Sequence, residues 1–371
     1  MRTLKLTAII AVLVLALLVP TMACSTPTAT PIPTKAPVAT SAPAPTVAAA
    51  VSTASPTPAG PSTAQYQWRL AIVQTPQDPL GQSWAYFSSE LEKRSNGKIH
   101  VEVGYSSAFG AQAKEVELTR TGVVQMMGDS TAFASAVEPR IAVMDLPFLF
   151  KDSAEYLKLA NETTLLKPLT DGLSDKGLLT LAWFDMGARA FDTTSKPIAT
   201  AADLNGMKFR VLSSTVVTRA WRAWGVQTVT MSAGEVAGGL EAKVIDGIDY
   251  LPTAVWSLGQ ADFIKYITIS NHAPTPIIFL MNKPTFDKLP ADLQEIVRKT
   301  ATDTVAFHLK KYNDQLGQAQ TALEAKGVKI IQMAEPERAK LLSALAGVYQ
   351  ETTTEFPILK DIIEARDRLR K

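Results

Sequence analysis

The chain has 371 residues, 46% of them apolar and 19% charged, a balance suited to a globular protein with a substantial core and a length that argues for two lobes. Lys and Arg number 37 against 35 for Asp and Glu, so the formal charge of +2 excludes the strongly basic character of a nucleic-acid or anionic-membrane binder. A single cysteine, Cys24, excludes an intramolecular disulfide, and His100, His272 and His308 show no metal-ligand spacing, so neither a metal nor a cofactor is expected.

Arg2 and Lys5 precede an apolar run from Leu6 to Val19, and Thr21-Met22-Ala23 lead into Cys24. The run is shorter than the roughly 20 residues a bilayer-crossing helix needs, so residues 1–23 read as a signal peptide. The small residues ahead of Cys24 resemble a bacterial lipobox, with Thr21 where Leu is more usual. Cleavage there would free Cys24 for acylation and hold the chain at the outer face of the cytoplasmic membrane. The alternative is an ordinary secretory signal with an incidental cysteine. Residues 24–64 read as the anchor and a linker. From Ser25 to Ala64 there are nine prolines, one charge (Lys35) and no aromatic residue, too little apolar surface to offset the entropy of ordering. As extended polyproline II this stalk would reach at most about 120 Å.

From Gln65 the pattern turns to short strands and helices. Trp68 to Val73 predicts a strand, and Trp84, Phe87 and Leu91 share one face of a helix that stops at Asn96-Gly97. Ile99, Val101, Val103 and Tyr105 alternate as a strand with one buried face. Ala111 to Arg120 predicts a helix, Val123 to Met127 a strand, Ala154 to Lys176 interrupted helix, and Leu178 to Phe184 a strand. Lys208 to Leu212 and Val226 to Met231 predict strands around a helix from Val216 to Trp224 that ends at Gly225. Ser232 with Glu235 is a capping-box pair opening the next helix, and Asp246-Gly247 a turn. Pro276 to Asn282 predicts another strand. Pro290 to Lys326 holds no internal proline, and as one helix of about 55 Å it would span both lobes, with a kink allowed at Gly317. The fold class expected is α/β, with parallel sheets flanked by helices. The expected domains are residues 65–186 plus 276–316 as one lobe and 187–275 plus 317–371 as the other.

Several segments follow one another in a familiar order: Leu91-Glu92-Lys93-Arg94-Ser95-Asn96-Gly97-Lys98-Ile99, Leu146-Pro147-Phe148-Leu149-Phe150, Gly187-Ala188-Arg189, Ala202-Asp203-Leu204-Asn205-Gly206-Met207-Lys208-Phe209-Arg210-Val211, Gly234-Glu235-Val236 and Val244-Ile245-Asp246-Gly247. In these the chain resembles the extracytoplasmic solute-binding proteins of tripartite ATP-independent periplasmic (TRAP) transporters, from about Trp68 to Tyr349. The resemblance implies a two-lobed periplasmic-binding-protein-like fold with a long helix spanning both lobes, closing on a small organic acid. Implied partners are that acid and the transporter's membrane subunits, with the lipid bilayer reached through Cys24. It also implies that Arg210 pairs with the ligand carboxylate and that Arg189 is a second basic contact. Tyr250 stands where the family often has Asn, and Ala233 where it often has an aromatic residue. Those departures turn the expectation away from sialic acid and simple dicarboxylates, toward an aromatic or less polar acid.

Read without the family, Arg210 sits on a predicted strand among apolar and small residues. Its planar fork matches a carboxylate with two parallel charge-assisted bonds; pairing with a protein carboxylate is the alternative. Arg189 has the alternative of a salt bridge to Asp185 or Asp192. Tyr250 either meets a ligand or fills core. Trp183 and Phe184 close an apolar strand, where pocket lining and packing are both open, and Ser130 follows a strand end, as a hydroxyl donor or a turn residue. Asp246 and Asp249 are the one pair of carboxylates a hydrolase reading has to rest on. There is no Gly-x-Ser-x-Gly elbow, phosphate loop or His-Glu-x-x-His motif. Capture of a ligand rather than its turnover is therefore the expectation; a tethered receptor for a signalling partner would share the same folded chain.

Overall fold

The computed structural model describes residues 63–371, so the expected signal segment, Cys24 and nearly all of the linker lie outside the described residues. The chain first lays down β1 (Tyr66–Ala71), β2 (Ile99–Gly104), β3 (Met126–Ser130) and β4 (Leu178–Asp185). It then forms β5 (Ala190–Thr193), β6 (Lys208–Val211), β7 (Gln227–Thr230), β8 (Gly247–Tyr250) and β9 (Tyr266–Ile269), before β10 (Pro276–Asn282) and finally β11 (Lys329–Gln332). One sheet has the order β2-β1-β3-β10-β4, the other β11-β9-β5-β8-β6-β7.

Neither sheet is wholly parallel, which corrects the expectation from the strand–helix alternation. β10 is antiparallel to β3 and β4, and β5 is antiparallel to β8 and β9. The remaining pairings are parallel. Connectivity explains the two reversed strands. β5 and β10 are the strands on which the chain passes from one sheet to the other, through residues 186–189 and 270–275, and no helix lies in either connection to turn the chain around.

The helix Pro79–Arg94 shows how the sequence fixes local structure. Asp78 caps it by accepting from the Leu80 N–H at 2.8 Å. Leu80, Trp84, Phe87 and Leu91 form its buried stripe, and Asn96 and Gly97, both at positive φ, end it. Trp84 lies 4.8 Å from Phe184 and 4.7 Å from Phe279, ring centre to ring centre, so this face is held by aromatic packing on β4 and β10. A second aromatic cluster, Phe191, Phe209, Trp221 and Trp224, packs beneath the other sheet. The expected long helix runs from Ala291 to Ala325 as 35 residues, about 52 Å, without a break at Gly317. It touches the Pro79–Arg94 helix and β4 on one side, and the Pro252–Ser257 helix and β11 on the other.

Two boundaries differ from expectation. The stretch from Ala111 opens as a tight turn at Gln112–Lys114, and only Glu115–Arg120 is α-helical. The strand expected at Val123 to Met127 lies instead at Met126–Ser130, carrying Gly128, Asp129 and Ser130 into the interior.

Candidate functional site

Arg210 lies on β6, which is paired on one side with β7 and on the other with β8. Its neighbour Phe209 points into the aromatic cluster, 5.0 Å from Trp221, so strand alternation turns Arg210 to the opposite face. There it is 1% exposed. Nε donates to the Met231 carbonyl at 3.0 Å, whereas Nη1 and Nη2, both buried, have no protein acceptor. The guanidinium carbon sits 5.6 Å from the centre of the Tyr250 ring, at the end of β8. Burial lowers the pKa of Arg210, with Tyr250, Asp249 and Asp129 acting against that fall. An arginine remains a cation under such pressure, and two parallel donors held in an interior are what a carboxylate requires.

Gln112 ties the surroundings of Arg210 together. Its Nε2 donates to Asp129 Oδ1 on β3 at 3.0 Å, and its Oε1 accepts from the Ala233 N–H at 2.9 Å. One side chain thus joins the first sheet to the segment that follows β7 in the second. Ala233 lies in a capping box: Ser232 donates to Glu235 Oε2 from its N–H at 2.7 Å and from its hydroxyl at 2.6 Å. Glu235 is a helix cap, as its spacing predicted. Asp129 Oδ1 also accepts from the Ser130 N–H at 2.6 Å. Glu115 stands beside Asp129, fully buried. Burial pushes the Glu115 carboxyl up to about 10, with repulsion from Asp129 adding to it, and pushes Asp129 up to about 6.

Arg189 takes a different position. Its Nη1 donates to the Asp249 carbonyl at 2.8 Å and lies 3.3 Å from Asp249 Oδ2. The carboxylate it meets is therefore neither Asp185 nor Asp192. His272 Nε2 is 3.2 Å from Asp249 Oδ1, and its Nδ1 is 2.7 Å from Ser270 Oγ. Burial pushes Asp249 up, but Arg189 and His272 outweigh it and hold the carboxyl below its usual range. Arg189, Asp145, Asp249 and His272 line a cavity of ≈ 10 Å³, room for about one water.

The remaining predicted residues are spread more widely. Tyr250 is brought to Arg210, and Ala233 to Gln112. Ser130 accepts from the Ala132 N–H at 3.3 Å, the turn-forming role weighed from its position. Phe184 packs among Trp84, Phe279 and His308, and Trp183, clasped by Asn161 through both backbone groups, is buried in the other core cluster. Asp246 accepts from the Lys208 N–H at 2.8 Å, and Asp249 is held by Arg189 and His272, so each carboxylate of the hydrolase reading has its own protein partner. Gln112, Glu115 and Asp129 were not singled out from the sequence. The single hint was the three polar residues Asp129, Ser130 and Thr131 directly after an apolar strand.

The described residues thus hold two mixed sheets, a helix touching both and an interior guanidinium whose terminal nitrogens have no protein acceptor. The chain belongs to the bacterial extracellular solute-binding proteins of family 7 (DctP), whose profile matches residues 70–355. It is 30% identical over 287 residues to the C4-dicarboxylate-binding periplasmic protein DctP of Rhodobacter capsulatus, covering 76% of this chain and 85% of that protein. Among solved structures it is similar to a TRAP periplasmic solute-binding protein from Xanthobacter autotrophicus with bound β-D-galacturonate, with TM-score 0.76, 29% identity, and 81% and 99% of the two chains covered. It is also similar to the sugar-acid-binding protein DctPAm of Advenella mimigardefordensis in complex with galactonate, with TM-score 0.78, 26% identity, and 81% and 98% covered. The mixed α/β architecture with its long helix is the one these proteins share.

Proposed function

We propose that the protein captures a small organic acid outside the cytoplasm, by closing two lobes on it, and delivers it to the membrane subunits of a TRAP-type secondary transporter. The observation that carries this reading is the Arg210 guanidinium, buried, with two parallel donors that no protein group takes up. The ligands in the names of the relatives, C4-dicarboxylates, galacturonate and galactonate, all carry the group those donors fit. In this reading residues 65–186 with 276–316 and residues 187–275 with 317–371 are the two lobes, hinged at the crossings that lead into β5 and β10. An acid that meets Arg210 from one lobe and Gln112, Glu115 and Asp129 from the other shifts the open–closed equilibrium by its extra affinity for the closed form. Arg189, bound to Asp249, positions the end of β8 that carries Tyr250. Cys24, acylated, would hold the protein at the membrane where the transporter works, and capture involves no chemical change to the ligand.

The test is calorimetry on wild type and Arg210→Lys with whichever organic acid in a panel binds the wild type most tightly. Lysine keeps the charge and loses the fork, so affinity should fall at least tenfold, about 1.4 kcal/mol. Unchanged affinity would remove Arg210 from the site. Incorporation of labelled fatty acid by wild type but not by Cys24→Ser tests the anchor.

A further inference from the structure

On the reading that Arg210 holds a carboxylate, we infer that the ligand is a monocarboxylate whose other polar groups are hydrogen-bond donors, hydroxyl or amino, received by Glu115 and Asp129, and that dicarboxylates are rejected.

The placement is fixed by a short chain of contacts. Arg210 Nε is held by Met231 O, the Ala233 N–H two residues on is held by Gln112, and the other end of Gln112 is held by Asp129. Arg210 and Asp129 therefore face one region from the two sheets, and each acts on the charge of the other. Among the described residues, however, Arg210 lies within 4.0 Å of no carboxylate oxygen. The guanidinium therefore forms no ion pair with either of the two acids. On the acid side, Asp129 Oδ1 is used by Gln112 and Ser130, while Asp129 Oδ2 and both carboxyl oxygens of Glu115 are buried and accept from no protein donor.

The site therefore presents donors at one end and acceptors at the other. Buried acceptors without donors are costly, and a guest that brings donors relieves that cost. A guest with a second carboxylate brings more acceptors and a like charge against Asp129. Glu115 as the neutral acid brings one proton to the three unpartnered oxygens of the two acids, so acceptors still outnumber donors on this side. Tyr250 and Ala233, which had suggested a less polar acid, are occupied by protein contacts: the ring by Arg210 and the N–H by Gln112.

The experiment is isothermal titration calorimetry on the folded protein with matched acids: gluconate against glucarate at six carbons, and 4-hydroxybutyrate and 4-aminobutyrate against succinate at four. The donor-bearing monocarboxylate should bind at least tenfold more tightly than the dicarboxylate of its length, and the hydroxy and amino arms tell which donor is preferred. Glu115→Gln with Asp129→Asn replaces acceptors by amides of nearly the same shape and should shift the ratio at least tenfold toward the dicarboxylate. The single change Glu115→Gln should shift it in the same direction and serves if the double variant melts at room temperature. A wild type that binds the dicarboxylate as well as its partner, or a ratio unmoved in the variants, overturns this inference while Arg210→Lys still weakens binding of all acids. If no acid binds, or Arg210→Lys has no effect, the carboxylate reading itself falls.

Discussion

Arg210 lies against the ring of Tyr250, 5.6 Å from its centre. The ring's negative face steadies a cation that the protein otherwise meets only at Nε. Tyr250→Phe keeps that face and should leave affinity for the bound acid within about twofold. Tyr250→Leu removes it and should weaken binding by about three- to tenfold, as expected from a contact of about 0.5–1.5 kcal/mol. Calorimetry on the two variants separates the ring from the hydroxyl; equal losses in both would assign the effect to the hydroxyl.

Arg189 predicts a stability effect more than a binding one. Arg189→Met would leave Asp249 buried with His272 as its remaining side-chain partner, and removing one member of such a pair costs roughly 3–5 kcal/mol. Combining Arg189→Met with Asp249→Leu removes both charges and should recover most of that loss. Urea denaturation of the single and double variants checks it, and a single variant as stable as wild type would show that the pair is dispensable.

The pH dependence of stability follows from the buried acids. Asp78, Asp129, Asp145 and Asp185 are each raised by burial to about 6, and Glu115 to about 10. In the unfolded chain these groups titrate near 4, so between roughly pH 4 and 6 the folded protein binds more protons than the unfolded one. Their contribution is complete below pH 4; for the four aspartates it is lost as the pH rises through 6, and for Glu115 only as it rises through 10. His308 acts the other way between pH 5 and 7, since burial lowers it to about 4, but it stands against these five carboxyls and Asp192, which burial also raises. The melting temperature of the ligand-free protein should therefore be a few degrees higher at pH 5 than at pH 7. A lower value at pH 5 would contradict the buried, partly unpartnered state of these carboxyls.

Gly187 lies in the crossing from β4 to β5 with φ near 101°, and a Cβ built on it would fall 1.8 Å from the Tyr312 hydroxyl oxygen of the long helix. Gly187→Ala meets both a disfavoured backbone and an overlap, so a loss of about 1–3 kcal/mol is expected. Tyr312→Ala in the same chain should restore part of it. Differential scanning calorimetry of the single and double variants is the check; no recovery would place the whole effect in the backbone.

The elements that carry strong periodicity were legible in the sequence. The stripe of Trp84, Phe87 and Leu91, the capping box at Ser232 and Glu235, and the long apolar-spaced helix to Ala325 need only local information. The direction of β5 and β10 was not legible, because it depends on which sheet the chain crosses to and not on what the strands contain. The start of β3 was misplaced because the apolar run from Val123 to Met127 ends before Asp129 and Ser130. There Gln112 and the Ser130 N–H meet one oxygen of the Asp129 carboxylate, contacts that the local sequence does not announce. Arg210 was singled out through a local motif, and the structure buries it with Nη1 and Nη2 unpartnered. Gln112 and Glu115 were not, since their meeting with Asp129 and Ala233 is made entirely by folding. Phe184 looked equally suited to a pocket or to core, and the rings of Trp84 and Phe279, distant in sequence, decided where it lies.

If a ligand carboxylate is taken up by Arg210, as proposed, the unpartnered Nη1 and Nη2 also bear on which molecules are turned away. A neutral ester or amide of the right outline fills space without supplying a counter-charge, so enclosing it strands a bare cation in a medium of low polarity. Exclusion of such look-alikes needs no steric gate: the same interior positive charge that welcomes an anion makes an uncharged impostor's enclosure unfavourable, and chemically masked acids would pass by unretained.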